Sequence, residues 1–177
     1  PKPKPQNITV YAESTPNPNT MKFVANRTLV PKRFEFNHPE ETTHAPLAQE
    51  VFQINGVSAV FMHQNYISVS KNEAIAWSDL IDSLKTLIQN FIVEGKAVLE
   101  DAALQESPSD SNPQNKKPLI ERNDQDKEII ALLEEFVTPA VAGDGGYIAF
   151  DSFDPESKTV RVLLQGACSG CPSSTMT

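Results

Sequence analysis

The chain has 177 residues, 39% hydrophobic and 21% charged. That composition is ordinary globular material, with room for one medium domain or two small ones. Net charge is −8, and no apolar run reaches the roughly 18 residues that a membrane span needs.

The acidity is uneven: residues 1–100 carry 9 basic and 10 acidic side chains, and residues 101–177 carry 6 and 13. Nucleic acid is thereby excluded as a main partner, because neutralising phosphates takes clusters of Lys and Arg. A neutral or basic protein partner is easier to accommodate. The opening PKPKPQN has no apolar run behind it, so no signal peptide is expected. Cytoplasm fits best, and an organellar matrix protein with its targeting segment removed would read the same.

In chain order, ITVYAE alternates like a strand. STPNPNT follows as a loop forced by its prolines and asparagines, and MKFVAN reads as a second strand. APLAQEVFQI has the helical spacing of Leu47, Val51, Phe52 and Ile54, and Asn55-Gly56 ends it. VSAVFM and YISVS read as a hairpin with HQN as its turn. WSDLIDSLKTLIQNFIVEG predicts a helix whose stripe is Leu80, Ile81, Leu84, Leu87, Ile88, Phe91 and Ile92. Trp77, Phe52, Phe61 and Phe91 read as core. The result is an α+β domain over 1–100, a small antiparallel sheet covered by two helices.

DAALQESPSDSNPQNKKP, 101–118, holds almost no large apolar residue and reads as a flexible linker. The remaining part, 119–177, begins with NDQDKEIIALLEEFV, a helix capped by Asn123 or Asp124 with acidic residues in its first turn. Ile129, Ile130, Leu133, Phe136 and Val137 are its expected buried stripe. Pro139 and AGDGG are expected to end it. YIAFDSF and TVRVLLQ form a second hairpin around DPES, and the second strand runs straight into GACSGCP.

Cys168 and Cys171 are the only cysteines of the chain. A bond between them would close a very short loop and constrain little, so they read as reduced thiols. Ser169 and Gly170 suit the tight turn between them. Pro172 suits the first position of a helix, whose dipole would favour thiolate. Four uses of the pair stay open. A redox dithiol needs a βαβ setting, and here a helix and a hairpin precede the cysteines. A same-chain zinc site needs four ligands, yet His38, His44 and His63 lie in the other part and read as solvated loop residues. Two chains meeting across a two-fold axis would supply four thiolates, which suits zinc or an iron–sulfur cluster. Finally, the cysteines could be small hydrophobes.

TPAVAGDGGYIAF and VRVLLQGACSGCPSST, within 129–177, resemble the NifU C-terminal-like (Nfu) domain. Asp144, Gly145 and Gly146 match its DGG turn; Gly166, Cys168, Cys171, Pro172, Ser173 and Ser174 match its G-x-C-x-x-C-P-S-S motif. Residues 8–99, with STPNPNTMKF near the start, resemble the N-terminal domain that accompanies it in Nfu scaffold proteins. The resemblance implies a non-enzymatic scaffold or carrier for an iron–sulfur cluster, commonly [4Fe–4S] with [2Fe–2S] as the alternative. Cys168 and Cys171 would be its ligands, paired with those of a second subunit in a homodimer. The implied partners are recipient apoproteins and other cluster-assembly scaffolds. A thioredoxin-like dithiol oxidoreductase is the competing function. Two residues depart from the family pattern: Thr138 replaces an Arg, and Tyr147 replaces a polar residue after DGG. The family also continues with a helix after PSST, which would lie beyond Thr177.

Overall fold

The computed structural model describes residues 7–102, 123–169 and 171. Strand β1 spans Val10–Ser14 and β2 spans Thr20–Ala25, and the STPNPNT loop joins them. Strands β3 (Phe34–Phe36), β4 (Val57–His63) and β5 (Tyr66–Lys71) complete an antiparallel sheet in the order β1-β2-β5-β4-β3. Helix α1 is Pro46–Phe52, and α2 is Ile81–Val93.

Alternation decides what each strand contributes. On one face Met21, Phe23, Phe34, Phe36, Val60, Met62, Ile67 and Val69 pack against Leu47 and Val51 of α1 and Leu84, Ile88 and Phe91 of α2. This is the main core, and every expected stripe residue of α2 is in it or packed against it. The opposite face holds a second, smaller cluster of Val24, Phe61 and Tyr66, against which Tyr147 from the C-terminal part packs. Phe61 is therefore core, as expected, but on the other side of the sheet.

The short β3 and the 3₁₀ turn at Pro39–Thr42 were not legible in the sequence. Three residues are too few to show alternation. The expected helix from Trp77 begins as a separate 3₁₀ turn, Trp77–Asp79, with the α-helix starting at Ile81.

Of the expected linker, residues 103–118 lie outside the described residues. The C-terminal helix begins at Asn123, whose side chain accepts a hydrogen bond from the Asp126 amide at 2.7 Å. It runs as α3 (Asp124–Leu132), passes through a π turn (Leu133–Val137) and continues as α4 (Thr138–Gly143). Pro139 therefore does not stop it. A proline ring clashes with the carbonyl four residues back in a regular helix, and the wider π turn just upstream gives it room. The expected buried stripe is also corrected: none of α3, the π turn or α4 has a buried residue among those described, and Phe136 is 66% exposed.

Strands β6 (Gly146–Asp154) and β7 (Thr159–Gly166) form the second hairpin. Its turn is fastened by Asp154, which accepts from the Glu156 amide and from Ser157 Oγ. No described helix is long and apolar enough to cross a membrane.

Candidate metal centre

The DGG run folds as the exit from α4. Asp144 and Gly145 turn the chain, with Gly145 at φ +79°, and Gly146 enters β6. Positive φ is open to glycine at little steric cost, which is what the turn demands. Gly146 pairs with Gly166 at the open end of the hairpin, and Gly166 is again at positive φ, +64°. The two glycine turns thus lie side by side, and the cysteine loop springs from the second. Cys168 folds back over the first: a Cβ built on Gly146 would stand 2.5 Å from its Sγ.

The two cysteines are not joined in a disulfide. Cys168 is half-buried and Cys171 is 4% exposed. Burial pushes the Cys168 thiol up from its ordinary value, and the electrostatic influence of Asp144 and of Cys171 acts in the same direction. At Cys168 these influences oppose the thiolate. The expected helix start at Pro172 lies outside the described residues. Among the described residues no group of three or more His, Cys, Asp or Glu side chains could hold a metal ion.

His63 is not a solvated turn residue. It closes β4 and is half-buried, with its ring 5.2 Å from that of Tyr147 and 5.7 Å from that of Tyr66. Burial lowers its pKa from the ordinary value, and the Arg33 guanidinium lowers it further. His44 sits on the surface against Glu100 at 2.9 Å.

Sequence reasoning missed the residues that hold the site from the N-terminal part. The outer face of the five-stranded sheet lies against the two glycine turns. Ser68 Oγ donates to the Gly145 carbonyl at 2.5 Å, and Tyr66 Oη donates to the Gly146 carbonyl at 2.9 Å. Lys22 Nζ donates to the Gly143 carbonyl at 3.2 Å. At the sheet edge, Glu35 accepts from the Gly166 amide at 2.9 Å and from Gln165 Nε2 at 3.1 Å. The STPNPNT loop is a shaped connection, as expected: Thr15 Oγ1 bridges the carbonyls of Asn17 and Thr20. It also reaches the site, because Asn17 Nδ2 donates to the Ala167 carbonyl at 3.1 Å. The only hint was the alternation itself. Ser68, Tyr66 and Lys22 fall on the face turned away from the helices, where long polar side chains are ordinarily solvated.

The fold thus sets a C-x-x-C pair at the root of a hairpin, whose glycine turns lie against the outer face of an antiparallel sheet. Family models name both parts: residues 10–95 match "Scaffold protein Nfu/NifU N terminal" and residues 129–177 match "NifU-like domain". The chain belongs to the Nfu/NifU family of iron–sulfur cluster scaffold proteins. It is 31% identical to a NifU-like protein of Schizosaccharomyces pombe over 97% of its own length and 65% of that protein's. It is 30% identical to "NifU-like protein 4, mitochondrial" of Arabidopsis thaliana, over 95% of this chain and 58% of that one. It is 31% identical to "NFU1 iron-sulfur cluster scaffold homolog, mitochondrial" of Drosophila erecta, over 97% and 58%. The chain thus spans less than two thirds of these relatives.

Proposed function

We propose that the chain binds an iron–sulfur cluster as cargo through Cys168 and Cys171, shares it with the same pair of a second chain, and passes it to apoproteins. The observation that carries this reading is a pair of cysteines, not joined in a disulfide, at the root of the β6–β7 hairpin, with no group of three or more metal-ligating side chains among the described residues. Two sulfurs leave a tetrahedral iron or zinc site half-made, and a two-fold axis completes it. Four thiolates suit a [4Fe–4S] cluster, with [2Fe–2S] as the alternative. Ligands shared between subunits also suit a carrier, because an acceptor's thiolates can displace them stepwise. The chain itself performs no catalytic turnover. The matched relatives from Arabidopsis and Drosophila are named mitochondrial, which favours an organellar matrix over the cytoplasm as the compartment. The dithiol-oxidoreductase alternative wants a βαβ setting, and here a helix and an antiparallel hairpin precede the cysteine pair.

Anaerobic reconstitution with iron and sulfide tests the reading. About two iron and two sulfide per chain on a dimer are expected. Cys168→Ala with Cys171→Ala should bind none while keeping the wild-type circular dichroism. Full cluster loading in that double variant removes the assignment.

A further inference from the structure

We propose that the outer face of the N-terminal sheet is a recognition surface for the DGG turn and cysteine loop of its own chain, one that must release them before a second chain can share a cluster. The proposal rests on the cluster-sharing reading for its second half only.

The face is specialised for backbone. Four of its contacts end on main-chain groups: Ser68 on the Gly145 carbonyl, Tyr66 on the Gly146 carbonyl, Glu35 on the Gly166 amide and Asn17 on the Ala167 carbonyl. These groups belong to the two motifs that surround the cysteines. Approach is close because the partners are glycines. A Cβ on Gly145 would stand 2.8 Å from Ser68 Oγ, and one on Gly166 would stand 2.8 Å from Phe61 Cδ1. Two polar residues of the face are buried, Ser68 at 1% exposed and Lys22 at 9%. A buried hydroxyl is costly unless it finds a partner, and the Gly145 carbonyl supplies one to Ser68; the Lys22 ammonium is shared between Glu13 of β1 and the Gly143 carbonyl.

Tyr147, the residue that departs from the family pattern after DGG, adds an apolar and cationic lock. Its ring joins Val24, Phe61 and Tyr66 and carries the Arg33 guanidinium 4.5 Å from its centroid. In this docked arrangement Cys171 is 4% exposed. Thiols from a second chain cannot complete a four-sulfur site around it unless the loop moves. Docking in one chain and bridging between two chains therefore compete for the same loop.

The test uses the full chain, reduced and free of metal. Glu35→Lys removes the acceptor for Gly166 and Gln165 and sets an ammonium against the Gly166 amide. Its side chain lies on the face away from the main core, so the N-terminal fold should persist. The rate of N-ethylmaleimide addition at Cys168 and Cys171, read by mass spectrometry, should rise about tenfold. Iron loading should become faster with the same final content. Tyr66→Phe, which deletes one hydroxyl, should give a smaller rise and guards against a folding defect in the first variant. Equal alkylation rates in wild type and both variants would overturn the docking surface. Faster alkylation in the variants with no iron bound by any of the proteins would keep the docking surface and overturn the cluster-sharing reading instead.

Discussion

Gly166 sits at φ +64° with the Gly145 carbonyl and the Phe61 ring both 2.8 Å from where a Cβ would be. Gly166→Ala combines left-handed strain with a clash against a buried ring, and should cost about 1–3 kcal/mol in urea unfolding. His63 offers a second test at this scale. Its ring is enclosed by Phe61, Tyr66 and Tyr147, and Arg33 is the nearby charge that opposes its protonation. The folded-state pKa is lowered, so the unfolded chain takes up the proton first. Stability should be unaffected by His63 above its ordinary value of about 6.5, and should fall as the pH drops below it. His63→Gln should remove that part of the acid slope; comparing wild-type and variant melting temperatures between neutral pH and about pH 5 isolates it from the carboxylates.

At the scale of elements, the helices of the two parts differ in what holds them. Leu84 and Ile88 of α2 are fully buried against the sheet, so Leu84→Ala should cost about 2–5 kcal/mol by chemical denaturation. No described residue of the C-terminal helix is fully buried, although Ile129, Ile130, Leu133 and Val137 are half-buried, and the Asn123 side chain caps its start. Asn123→Ala should cost about 1 kcal/mol there, visible as faster amide exchange at Asp126 and its neighbours. Element existence was legible where periodicity was long: the α2 stripe of Leu84, Ile88 and Phe91 and the alternation through β2, β4 and β5 all appear where the sequence puts them. The helix through Pro139 was misread because a proline normally ends a helix, and the π turn that accommodates it leaves no mark on composition. The buried stripe of that helix was misread because apolar spacing says which face is apolar but not whether anything covers it.

At the scale of the molecule, the sheet does two jobs, one on each face. The inner face is the core, and the outer face holds the site. Hydrogen exchange at the Gly166 amide reports on the second job directly. In the wild type this amide is held by Glu35 at 2.9 Å, and protection there should disappear in Glu35→Lys while amides of β2 and β5 keep theirs. Loss of protection in β2 and β5 as well would mean that Glu35 supports the sheet rather than the docking.

The sequence by itself determined the α+β class, the two sets of elements and the thiol pair, because these depend on short-range spacing: alternation in strands, 3.6-residue stripes in helices, glycine at forced turns, and two sulfurs three positions apart. It also carried the family resemblance, through DGG and G-x-C-x-x-C-P-S-S. Only the tertiary structure decided which residues surround that pair. Ser68, Tyr66, Glu35 and Asn17 stand 77 to 150 positions in sequence from the backbone groups that they hold. Each donates to or accepts from a backbone group, which every residue possesses, so no pattern of side chains announces the match. The raised Cys168 thiol is likewise a product of burial in the folded chain, which no local pattern shows.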